Sequence, residues 1–176
     1  ADRGNHLITC VTEHKAILDT AKHLEKLGKK VTYLPVNEYG EIDLEQLENA
    51  ITSDTVMISI MFANNEIGTI ADVEAIGEIA HKHNVIFHTD AAQAVGHIPV
   101  NVESMNIDLM SFSAHKMYGP KGIGALYVRG VKPRVKPDGL FYGGGQERNI
   151  RSGTLNVPGI VGFGKAMEIS QKEMDS

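Results

Sequence analysis

Lys116 ends the run Ser113-Ala114-His115-Lys116, which closes an apolar stretch and precedes the turn Gly119-Pro120. Lysine normally stays in water, because desolvating an ammonium is costly. Two readings stand for it. It is a solvated loop residue, or it is an amine at the rim of an apolar strand, with its solvation reduced and its pKa lowered so that it can condense with an aldehyde. The strand-like run before it favours the second. Asp90 ends another apolar run, over residues 85–90. It can cap a helix through the following Ala91-Ala92-Gln93, or stand as an anion awaiting a cationic partner such as a protonated pyridine nitrogen. Gln93, three residues on, could then reach a ring hydroxyl. Ser113, Ala114 and His115 offer a hydroxyl, a backbone amide and an imidazole within one turn, a set that suits a phosphate.

An aldehyde, a pyridine nitrogen, a ring hydroxyl and a phosphate together describe pyridoxal phosphate, whose ring withdraws electrons only while its nitrogen stays protonated. Other chemistries fit less well. The segment Gly119-Pro120-Lys121-Gly122-Ile123-Gly124 lacks the spacing of a nucleotide phosphate loop and leads into a strand rather than a helix. His81, His83, His88 and Asp90 could be imagined around a metal. However, His81 and His83 stand two apart in a helical pattern and point apart, so solvated helix-end histidines are expected and no metal site. Cys10, the only cysteine, reads as a small core residue, and no internal disulfide is possible.

These residues need a scaffold that brings strand ends together. Apolar runs at residues 6–11, 31–36, 55–62, 85–90, 108–113 and 124–128 read as strands. Helical patterns separate most of them. The first places Ile17, Ala21, Leu24 and Leu27 on one face, with Gly28 as its stop. Asp43, with Gln46 in capping-box spacing, opens a second. Asp72 opens a third, with Val73, Ile76, Ile79 and Ala80 as its buried stripe. A last helix follows Pro158. Apolar strands separated by helices imply an α/β fold, a mainly parallel sheet with helices on both faces. Ligands in such sheets sit at the carboxyl ends of strands, where Asn64, Asn65, Asp90, Ser113 and His115 fall. The segment 129–139 is a basic loop. The 176 residues carry a net charge of −5 and are 42% hydrophobic, which speaks against nucleic acid or membrane as the main partner. The single cysteine makes a reducing compartment the default.

Five blocks carry a resemblance. They are Thr12-Glu13-His14-Lys15 and its helix, Asn64-Asn65-Glu66-Ile67-Gly68, the run from His88 to Val100, the run from Asp108 to Val128, and the glycine-rich run from Gly143 to Gly164. In this order and spacing they resemble the cysteine desulfurases of the NifS/IscS type, within the class-V aminotransferase group. The resemblance implies a fold-type I large domain and pyridoxal phosphate as cofactor. It implies that Lys116 holds the cofactor covalently and moves protons, and that His14 stacks on the ring and assists proton transfer. Asp90 would pair with the pyridine nitrogen and Gln93 with the ring hydroxyl. Asn65 would lie near that hydroxyl and the substrate carboxylate. Ser113, Ala114 and His115 would hold the phosphate, and Thr154 would reach the phosphate of a neighbouring subunit in a homodimer.

The implied reaction moves sulfur from L-cysteine to a protein thiol, giving L-alanine and a persulfide for iron–sulfur cluster or thiolation acceptors. Residues 1–176 would be part of the cofactor-binding large domain. The amino-terminal segment and the small domain with the attacking cysteine would lie outside it, so that these residues alone would not desulfurate cysteine. A cytoplasmic location is expected, with the mitochondrial matrix as alternative. A selenocysteine lyase or another class-V aminotransferase remains open, as does a catalytically dead dimerisation scaffold.

Overall fold

A computed structural model describes residues 4–131 and 133–174; Lys132 of the basic loop lies outside the described residues. Six strands form one sheet in the order β2-β1-β3-β4-β5-β6. They are β1 (His6–Cys10), β2 (Lys30–Leu34), β3 (Thr55–Ser59), β4 (Ile86–Asp90), β5 (Leu109–Ser113) and β6 (Gly124–Val128). The first five pair in parallel, and β6 closes the edge antiparallel to β5. The helices are α1 (Lys15–Lys26), α2 (Leu44–Ala50), α3 (Val73–Lys82) and α4 (Val157–Glu173). The chain steps from β1 outward to β2, then crosses back to β3 on the other side of β1. By the right-handed rule for parallel β-α-β units, this reversal of direction at β1 calls for helices on both faces of the sheet, the arrangement the sequence predicts.

The main core joins Ile8, Ile58, Ile60 and Phe87 of the strand segments to Leu47 of α2 and Val73, Ile76 and Ala80 of α3. A smaller cluster, Ala114, Met117 and Phe163, seats α4 beneath the turn after β5. The strands are not apolar throughout. Along β4, Phe87 and Thr89 are buried, while Ile86, His88 and Asp90 are half-buried on the opposite face. That face carries a polar row in which His88 hydrogen-bonds through Nδ1 with Ser59 Oγ (2.8 Å) and through Nε2 with Ser111 Oγ (3.2 Å).

The helix signals hold with two corrections. Asp43 accepts from the Glu45 and Gln46 N–H groups, and Asp72 from the Ala75 N–H. Gly28, at φ +82°, stops α1 and donates to Glu25 O. Leu27, expected on the buried face, is 63% exposed, because the helix ends one residue earlier and Leu27 already occupies the C-cap. His81 is not a solvated helix-end residue. It donates from Nε2 to both carboxylate oxygens of the fully buried Asp108 at 3.0 Å. Asp108 also accepts from the Phe87 N–H (2.9 Å) and pairs with Arg129 Nε (3.0 Å). His83 instead pairs with Glu48 at 2.8 Å.

Candidate active site

Four segments leave the carboxyl edge of the parallel sheet, and each brings one group of candidate residues. The chain leaving β1 turns at residues 11–14 and delivers His14 as the N-cap of α1, where its Nδ1 accepts from the Ala16 N–H at 3.2 Å. Nδ1 therefore carries no hydrogen in this arrangement, and Nε2 is the ring atom left to face outward. The chain leaving β3 stays buried through Ala63 and then turns at 64–68. Asn64 Oδ1 accepts from the Glu66 and Ile67 N–H groups (2.9 and 3.1 Å), so Asn64 shapes the turn and the exposed Asn65 is carried on it. Asp90 is the last residue of β4. One of its carboxylate oxygens accepts from the Ala92 N–H at 3.0 Å, and Gln93 follows half-buried in a series of turns rather than a regular helix.

Ser113 ends β5, and a single 3-10 turn, Ala114–Met117, follows. Tyr118 closes it in the left-handed region (φ 62°), and the Gly119 N–H donates to Ala114 O at 2.9 Å. A Cβ at position 119 would stand 2.9 Å from that oxygen and 3.1 Å from Ala166 Cβ, so the Gly-Pro turn needs its glycine. The turn buries Ala114 and Met117 and turns His115 and Lys116 outward. The sequence reading expected Lys116 to be desolvated; in this chain it is exposed, because a 3-10 turn sends alternate sides of the run to core and solvent. The Ala114 N–H is also engaged, donating to Ile123 O at 3.1 Å, so of the expected phosphate-binding trio its amide is already taken within the fold. Thr154 is exposed in the glycine-rich loop before α4.

The site is thus an open ledge. His14, Asn65, His115, Lys116 and Thr154 are exposed, and Asp90, Gln93 and Ser113 are half-buried. The class-V aminotransferase profile, described as "Aminotransferase class-V", matches residues 1–176. The chain belongs to the class-V aminotransferase family. It is 56% identical over 172 residues to the cysteine desulfurase IscS of Clostridium botulinum, a match over 98% of this chain and 43% of that protein. It is 58% identical over 173 residues to the cysteine desulfurase IscS of Neisseria meningitidis, again over 98% of this chain and 43% of the relative. Among solved structures it matches a NifS-like protein with a TM-score of 0.94 and 48% identity, over 99% of this chain and 47% of that one. A structure described as SspA in complex with cysteine matches with a TM-score of 0.88 and 47% identity, over 95% and 48% of the two chains. The class-V chain spans less than half the length of these relatives.

Two features of the class-V site escape the sequence patterns. His97 donates from Nε2 to Lys116 O at 2.7 Å and lies edge-on to Tyr118, bracing the lysine turn from the segment after β4. Glu13, beside His14, is buried, and its surroundings push its pKa up to about 8, first through desolvation and then through the charge of Asp90. No local pattern marks Glu13, because its partner Met61 lies 48 residues away in sequence. Cys10 is buried as expected, hydrogen-bonds with Thr12 Oγ1 at 3.1 Å, and has its thiol pKa raised by burial.

Proposed function

We propose that this chain is the cofactor-binding part of a pyridoxal-phosphate-dependent cysteine desulfurase. The observation that carries the reading is the meeting of Lys116, Asp90, Ser113 and His14 at one sheet edge, in a chain more than half identical to proteins named cysteine desulfurase. The donor set suits the cofactor. Among the described residues no hydrogen bond or ion pair engages Lys116 Nζ, so the amine is open to an aldehyde. Asp90 uses one oxygen on the Ala92 N–H and keeps the other for a pyridine N–H. Gln93 and Asn65 would serve the ring hydroxyl. Ser113 and His115 would serve the phosphate, together with Thr154 of a second copy.

Pyridoxal phosphate supplies an electron sink conjugated to the substrate α-carbon. The residues of this chain do the rest. Asp90 would hold the ring nitrogen protonated, and Asn65 would orient the substrate carboxylate. Lys116 Nζ takes the α-proton of L-cysteine, and His14 Nε2 assists a proton transfer beside it. The Cβ–S bond then breaks. Its sulfur would pass to an attacking thiolate, which becomes a persulfide, while Cβ takes up one proton and Cα regains one from Lys116 Nζ, so that L-alanine leaves. Cys10 is not that thiolate: it is 3% exposed and its thiol is held protonated by burial. The persulfide would supply an acceptor protein for iron–sulfur clusters or thiolation, in a cytoplasmic, reducing setting.

The test is product analysis. With pyridoxal phosphate, L-cysteine and a thiol reductant, the full-length protein should release L-alanine and sulfide in equal amounts. A keto acid product with an aminated acceptor would replace this reading with transamination. Turnover confined to L-selenocysteine would replace it with a lyase. No product from any amino acid would leave the scaffold reading.

A further inference from the structure

The segments that carry His14 and Asn65 are tied together directly behind those two residues. The Met61 N–H, on the chain leaving β3, donates to Glu13 Oε1 at 2.5 Å. Three residues on, Asn64 Nδ2 donates back to Thr12 O at 2.9 Å. Glu13 immediately precedes His14, and Asn64 immediately precedes Asn65, so each tie stops one bond short of a site residue. Glu13 is 5% exposed, and its Oε2 is buried without a hydrogen-bond partner among the described residues. It borders a cavity of about 220 Å³ together with Cys10, Ile60, Met61 and Asn64. A buried carboxyl with an unpaired oxygen is costly, and a methionine would fill similar space without that cost. The group therefore has a use other than packing. Its raised pKa keeps it neutral at pH 7, able to accept from an amide without placing a second negative charge beside Asp90.

We propose that Glu13 is a positioning residue: its carboxyl clamps the turn between β1 and α1 onto the exit of β3, and so fixes His14 relative to Asn65 and Asp90. The clamp itself is a property of the fold; only its consequence for turnover rests on the proposed function. The His14 ring is then held by two constraints. Its backbone is anchored through Glu13, and its Nδ1 by the Ala16 N–H.

The experiment compares E13A, E13M and E13Q in the full-length protein, each with and without H14A. E13M keeps the space filled and removes the acceptor, so it carries the comparison should E13A not fold. E13Q keeps an acceptor for the Met61 N–H. The first readout is amide hydrogen exchange in residues 12–18 and 59–65 of the cofactor-free protein. E13A and E13M should speed exchange in both segments by about tenfold or more, and E13Q should restore protection. The second readout is cysteine turnover. E13M should lower kcat by roughly 10- to 100-fold with little change in KM, the scale expected from a small misplacement of a catalytic group. It should lower nothing further once H14A is present. Wild-type exchange in E13M would overturn the clamp. A kcat loss that multiplies with H14A would overturn the route through His14. Should the unaltered protein turn over no cysteine, the proposed function falls, while the exchange comparison still decides the clamp.

Discussion

At Glu13 one side chain links stability to pH. An unfolded chain ionises this carboxyl near its ordinary 4.5, whereas the folded chain holds the proton to about 8. Between those values the folded state binds a proton that the unfolded state has released. Its contribution is therefore fully present below about pH 4.5 and is lost as the pH rises towards about 8, on the order of a few kcal/mol in all. Asp90 faces the group from the end of β4, and Cys10, Glu41 and Asp72 line the same cavity, with no lysine or arginine among its lining residues. E13Q cannot ionise, so the fall in Tm between about pH 5 and about pH 8 should become shallower in the variant, as thermal scans across that range would register. An identical slope in both proteins would contradict the raised pKa. The placing of Asp90 and Ser113 at strand ends was legible in the sequence, because each stands where an apolar run stops. Glu13 was not, because its partner Met61 lies 48 residues away and nothing local marks that contact.

Elements set where those residues stand, and the ion cluster at the start of β5 shows how. Asp108 immediately precedes β5 and is bound by His81 of α3, by Arg129 beyond β6 and by the Phe87 N–H of β4. Removing it leaves Arg129, itself buried, with Glu103 as its remaining carboxylate. D108A should therefore cost about 3–5 kcal/mol of stability, the range for breaking a buried ion pair from one side. Denaturant unfolding would show it, and a loss under about 1 kcal/mol would mean the cluster is incidental. Helix starts were legible here, since Asp43 and Asp72 cap as their spacing predicts. The fate of His81 was not, because a sequence shows that a histidine lies near a helix end but not which buried acid waits opposite. The exposure of Lys116 was missed for a similar reason. An apolar run gave no sign that a 3-10 turn would rotate the lysine out of the core.

In the molecule as a whole, the sheet order makes the site possible. Because β1 has neighbours reached by crossovers in opposite directions, the exits of β1, β3, β4 and β5 converge on one edge. A mainly parallel sheet was readable from alternating strand and helix patterns; the strand order and the openness of the ledge were not, since both depend on what packs across the sheet. The segment from 140 to 161 exposes Leu140, Phe141, Tyr142, Val157 and Val161, apolar surface of the kind that marks an interface. The full-length protein should therefore sediment as a dimer that Y142E weakens, and a monomer at micromolar concentration would remove the role given to Thr154. The central claim is that Lys116 holds an aldehyde cofactor at this edge. Its most direct test is borohydride reduction of the full-length protein after addition of pyridoxal phosphate, followed by peptide mapping. The label should fall on Lys116 and vanish in K116A. A label spread over other lysines, or none at all, would contradict the account.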